Sequence, residues 1–539
     1  MKRFLIIKSE LFIGLIFIFC LEVKGQVGKD NHSASQHDSV LSNQYLQSGL
    51  VKYKAKDYNG ALSDFEMAIK NNPANWRAYR SKGDAEQELD RYPEAIESYT
   101  QALAVNKKDT LSYKGRAESK RMSGSYKESL EDYDIALEWT PSDADMYFGR
   151  GSAYYKLGNY SKSISDLNTS IKIHPKYVLF YFKRALSYVS NSQYREAKLD
   201  LNKYLQLGGK DEGVYYYLGL CEVYLSDTDL SRADSAINYL TRYTTSKNKV
   251  EYDNPWGYQL LGLAYAMKKD SARSRQNFRK SMLLNPENKD TYYRWGLSET
   301  DFKNYKKADE LFTAAYKRMK SPSAEFYYRY GLSKASIRDT TMAMEYYAKA
   351  LALDSNKREV YENRLALLYG GNARYLKTIL GDLDDLIRLA KEDQEKAEWH
   401  SAKSFANLMA KDTASARMEI DKAIVLMNME PMHYMIRAQI NSAENKSIDI
   451  VLKDVDKAIR IDPTMTEAYL FKATYYALHG DHRNGCETLK YALKIGGSVP
   501  KEVENYICKG KLLKDGKTPN LYIPFTPRLT INKMSIEEQ

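Results

Sequence analysis

No apolar run beyond residue 25 of this 539-residue sequence is long enough to cross a bilayer, so the body of the chain is expected to be soluble. Blocks of one charge sign are missing too. The 81 Lys and Arg exceed the 70 Asp and Glu, but no basic block is longer than a few residues. That excess is a mild bias toward anionic partners or surfaces and does not point to nucleic acid. The sequence lacks a glycine-rich phosphate loop, a Ser/His/Asp or Cys/His set in recognisable context, and paired carboxylates outside a repeating pattern. The expectation is a non-enzyme with no cofactor and no small-molecule substrate. Asp227 to Ser231 opens like a calcium loop, but Arg232 stands where the turn needs Gly and Asn238 where a bidentate Glu belongs. His479, His482 and Cys486 lie close together without a fourth ligand, which reads as a solvated turn rather than a metal site.

What is present is a period. Tyr45, Tyr79, Tyr113, Tyr147, Tyr181 and Tyr215 fall at intervals of 34, and four residues after each comes Gly49, Gly83, Ala117, Gly151, Ala185 or Gly219. A small residue at one fixed place means two helices crossing closely there. A second series follows: Ala61, Ala95, Ser129, Ser163 and Ala197, then Phe65, Tyr99, Tyr133, Leu167 and Leu201, then Ala68, Ala102, Ala136 and Ser170. Spacings of four and three put these on one helical face. Pro73, Pro141 and Pro175 end second helices, and Asn59, Gly124 and Gly158 mark turns within units. Each 34-residue unit therefore reads as helix–turn–helix, and a chain too long for one core is built as an array.

The order aromatic, small, turn, Ala, aromatic, Ala, Pro resembles the tetratricopeptide-repeat (TPR) motif, which Tyr147 to Gly151, Asp166 to Ser170 and Pro175 show whole. The resemblance covers about residues 42–499 and implies an all-α, right-handed α-solenoid of about thirteen stacked units with a C-terminal capping helix, its concave groove lined by first helices. Residues 42–220 form the regular array. Residues 221–357 carry insertions, since Gly219 to Gly262 is a step of 43 where 34 is expected, and nine extra residues fit around 226–231 and 244–249. Residues 358–393 are a divergent helical unit, and 394–499 return to the motif. A second irregularity follows Gly371. Residues 500–511 read as the cap and 512–539 as an extended tail.

Arg116 and Asp132, Arg150 and Asp166, Arg184 and Asp200 are each 16 apart, which predicts an ion pair tying first helix to second within a unit. Lys403 and Glu419 repeat the spacing. The alternative is a basic ladder of Lys82, Arg116, Arg150 and Arg184 gripping acidic peptide. Tyr79, Tyr113, Tyr147, Tyr181 and Tyr215 line or flank the expected groove, and the sequence does not separate packing rings from free ones. The first inner helix, Tyr45 to Lys52, lacks the Lys and Asn arrangement with which chaperone-binding TPR domains hold a C-terminal carboxylate.

Lys2, Arg3 and Lys8 followed by the apolar Leu11–Cys20 stretch read as a signal peptide over residues 1–25, cleaved before Gln26, with 26–41 a flexible leader. Phe19 stands where a lipoprotein signal wants a small residue, so lipid on Cys20 is not expected. Cys221 reads as a buried core thiol. The stretch from Gly485 through Cys508 resembles the last unit of exported bacterial TPR proteins, Bacteroidetes-like ones among them, where a short helix ends in Cys. That resemblance, with an oxidising compartment, implies a Cys486–Cys508 disulfide. The function expected is a protein–protein interaction scaffold of the cell envelope, binding peptide segments or partner helices. The alternatives are an accessory factor for an outer-membrane or secretion complex and, in a different class, a cell-wall or glycan binder.

Overall fold

The computed structural model describes residues 38–225, 231–246, 254–368 and 373–512. The signal-peptide, most of the leader and nearly all of the tail lie outside these residues, as do most of the two insertions and Gly371. Helices follow one another through short turns, and no strand occurs among the described residues. The chain divides into two compact units after Pro286.

The first unit holds seven hairpins. They pair helix 38–54 with Tyr58–Asn71, Trp76–Glu88 with Tyr92–Val105, Thr110–Met122 with Tyr126–Trp139, and Ala144–Lys156 with Tyr160–Ile173. Val178–Ser190 with Tyr194–Gln206, Gly213–Tyr224 with Ser231–Thr244, and Pro255–Met267 with Ser271–Leu284 complete it. The second unit holds six, beginning with Lys289–Asp301 and Tyr305–Arg318 and ending with Thr466–Leu478 and His482–Lys494, followed by the single helix Lys501–Lys509. The architecture is an all-α helical repeat.

Local chemistry sets the turn. At Lys56, Asp90, Gly124, Gly158 and Ser192, spaced by 34, the backbone is left-handed, with φ of 63°, 57°, 92°, 77° and 59°. The next amide then reaches back five residues, as Asn159 does to the Tyr154 carbonyl at 2.9 Å and Gln193 to Tyr188 at 2.8 Å. This closes the first helix and reverses the chain. Asp57 and Asn159 then accept amides of the following helix through their side chains. Inside each hairpin the small second-helix residues Ala61, Ala95, Ser129, Ser163 and Ala197 are wholly buried. At Gly83 an added side-chain carbon would sit 2.9 Å from the Tyr99 ring, so the missing side chain lets that ring pack close against the first helix.

Residues 358–393 form a hairpin as well, Arg358–Leu368 with Leu376–Leu389, joined across the 3-10 turn Ala373–Tyr375. Its core is Tyr361, Leu365, Leu368, Ile379, Leu383 and Leu386. Larger aliphatic residues there replace the small-residue crossing. At the C-terminal end, Lys501–Lys509 lays Val503, Tyr506 and Ile507 over Leu470, Ala473, Leu489 and Ala492, with Val499 beside them. Cys486 and Cys508 are disulfide-bonded, their Cα atoms 4.5 Å apart.

Candidate binding site on the first-helix face

Arg116 meets Asp132 through Nε at 2.8 Å and Nη2 at 2.6 Å; Arg150 meets Asp166 at 2.9 and 2.8 Å, and Arg184 meets Asp200 at 2.6 Å through both nitrogens. The third nitrogen reaches 16 residues the other way. Nη1 donates to Thr100 Oγ1 (3.1 Å), Asp134 Oδ1 (2.6 Å) and Asn168 Oδ1 (2.6 Å) respectively, so each guanidinium bridges its own hairpin and the preceding one. Lys82 meets Glu66 and Glu86, at 3.2 and 3.7 Å. These cations are engaged inside the array rather than standing as a free ladder. Lys403 lies 3.6 Å from Glu419, which His400 and Lys422 also hold.

The tyrosine series is largely taken up by the chain. Arg116, Arg150 and Arg184 stack over Tyr113, Tyr147 and Tyr181, and Arg242 lies 3.9 Å from the centre of Tyr215. Tyr181 and Tyr215 are buried, while Tyr79, Tyr113 and Tyr147 are half-buried. His479 and His482 each place Nδ1 against a backbone carbonyl, of Tyr475 and Ile507, and Cys486 is in the disulfide. Burial pushes the Cys221 thiol up to about 12, leaving an unreactive core thiol.

A different feature opens between first helices. In two successive hairpins the second-helix tyrosine threads its hydroxyl through to the first-helix face. Tyr99 donates to Asp84 at 2.8 Å, and Tyr133 donates to Glu118 at 2.5 Å. Each phenol passes over a glycine of the next hairpin, Gly115 or Gly149, where any side chain would collide with it. One repeat further on, all three positions change together. Leu167 stands in place of the tyrosine, Ser152 in place of the carboxylate and Lys183 in place of the glycine. A cavity of about 370 Å3 lies there, walled by Phe148, Tyr155, Leu167 and Leu186 and lined by Ser152.

Three cations border it: Arg121, Lys156 and Lys183. Arg121 is paired with Glu118, whereas Lys156 and Lys183 have no carboxylate partner among the described residues. Burial, and then the like charges of Arg121 and Lys156, hold the Lys183 ammonium below the usual lysine range. The site is therefore cationic, aromatic-walled and open, a combination suited to a carboxylate joined to an apolar body.

Residues 46–109 and 324–357 match family models described as tetratricopeptide repeat, and residues 117–158 and 151–192 match one described as TPR repeat. The chain carries tetratricopeptide repeats. The cavity thus lies between the TPR units of residues 110–139, 144–173 and 178–206. No curated protein matches the chain in sequence. Among solved structures, a tetratricopeptide repeat protein from Parabacteroides merdae is 18% identical with a TM-score of 0.34, covering 48% of this chain and 98% of that one. PilW, a type IV pilus biogenesis factor, is 19% identical with a TM-score of 0.35, covering 39% and 97%. MamA from Desulfovibrio magneticus is 16% identical with a TM-score of 0.30, covering 31% and 94%.

Proposed function

We propose that this chain is a non-catalytic scaffold of the cell envelope that holds segments of other proteins against the first-helix face of its TPR units. The observation that carries the reading is the cavity at Ser152, Leu167 and Lys183, where packing that closes the two preceding repeats gives way to an open, cationic, aromatic-walled surface. An extended peptide or partner helix would present alternate side chains to such a face. Export rests on the basic, then apolar, first 25 residues.

Chemical crosslinking in cells, followed by purification of the chain and mass spectrometry, tests both parts. Protein adducts mapping to 110–206, together with a mature N-terminus at Gln26, are expected. Recovery of cell-wall glycan without protein adducts contradicts the scaffold reading. Retention of residues 1–25, or a lipid on Cys20, contradicts the export reading.

A further inference from the structure

The cavity also defines what it takes. We propose that the occupant is an acidic segment of a protein partner, placing a carboxylate between Lys156 and Lys183 and a large apolar or aromatic side chain over Leu167. The inference rests on the scaffold reading and adds the chemistry of the ligand.

One unit earlier the same space holds a phenol ring, from Tyr133, and a carboxylate, from Glu118, joined by a hydrogen bond and crossing the bare backbone of Gly149. Thirty-four residues on, the chain supplies neither ring nor carboxylate at these places: Leu167 has no hydroxyl to donate, and the Ser152 hydroxyl is donated to the Phe148 carbonyl at 2.8 Å. In place of the glycine it supplies a cation, Lys183, with Lys156 beside it and no carboxylate paired to either among the described residues. Loss of the ring alone would leave an apolar hole. Loss of the acid with gain of the lysine changes the sign of the site, so that the missing charge is negative. A volume of about 370 Å3 holds one or two side chains, not a duplex or a headgroup array. A peptide segment is therefore favoured over nucleic acid or a membrane surface.

Fluorescence anisotropy on the purified full chain tests this with a labelled peptide alternating glutamate and tyrosine, against its glutamine and tyrosine counterpart. The glutamate peptide should bind at least roughly tenfold more tightly, and Lys183→Glu or Lys156→Glu should erase roughly that factor. The variant Ser152→Glu, Leu167→Tyr, Lys183→Gly rebuilds the preceding unit's contents, so it should fold as well as the parent by circular dichroism and bind neither peptide. Equal binding of both peptides, or unchanged binding by the Lys183→Glu variant, overturns the proposal. So does tighter binding of single-stranded oligothymidine or of phosphatidylglycerol vesicles than of the glutamate peptide. If these results go against it while protein adducts at 110–206 are still recovered from cells, the acidic-segment inference alone fails; if no adducts form, the scaffold reading fails.

Discussion

Arg150 holds Asp166 with two nitrogens at once, Nε at 2.9 Å and Nη2 at 2.8 Å, and turns its third toward Asp134 of the preceding hairpin. The hydrogen bonds to Asp166, and then the charges of both carboxylates, raise the guanidinium's affinity for its proton despite burial. Asp166 is buried, so removing its partner strands a carboxylate away from water. Arg150→Met should cost about 3 kcal/mol, and the double variant with Asp166→Leu less than the sum of the two singles. Asp134→Ala, at an exposed acid, should cost below about 1 kcal/mol. Hydrogen exchange over residues 144–173 reads the local opening directly.

The turns predict a gain. Ser192 sits at φ 59° where Gly124 and Gly158 occupy the same place in their repeats. A side chain in left-handed backbone is strained, so Ser192→Gly should stabilise the hairpin 178–206 by about 1 kcal/mol. Gly158→Ala should destabilise its own by a similar amount, about 1 kcal/mol. Thermal or urea unfolding followed by hydrogen exchange distinguishes the two.

Acid should loosen the second unit near Glu419. Burial pushes this carboxyl up, but the His400 hydrogen bond, with Lys422 and Lys403, outweighs burial and holds it down at about 2. A carboxyl depressed on folding stabilises above its unfolded value, about 4.3, and that contribution is lost as pH falls from there through about 2. Hydrogen exchange of 393–426 should rise across that window, and Glu419→Gln should flatten the rise.

Reduction should act first on the cap. Cys486 and Cys508 lie 22 positions apart, and closing a loop of that length in the chain-entropy account contributes about 3 kcal/mol. Dithiothreitol should therefore increase exchange in 501–509 while leaving 42–220 unchanged. Equal loosening of both regions would show that the bond does not act on the cap.

The architecture was legible because TPR packing writes one residue class at one place every 34 residues, as in Tyr147, Gly151 and Leu167. The Asp166 side of each Arg contact shares that period. The backward reach to Thr100, Asp134 or Asn168 has no periodic signature, because three different polar residues fill the same place. The cavity is hidden in the sequence for a similar reason. Leu167 reads as an ordinary core residue until the path of the Tyr133 hydroxyl over Gly149 is known. The signal was present as three coordinated changes in register, Tyr133 to Leu167, Glu118 to Ser152 and Gly149 to Lys183. Aromatic periodicity marks Tyr181 and Tyr215 instead, whose surfaces are spent on packing.

Site-specific photocrosslinking in cells, with the photoreactive residue at Leu186 in the cavity wall and at exposed Leu199 on a second helix, tests the account most directly. The account predicts protein adducts from position 186, few from 199, and loss of the 186 adducts when Ser152→Glu, Leu167→Tyr and Lys183→Gly fill the cavity from within. Adducts of equal yield at both positions, or adducts at 186 that survive filling, would contradict it.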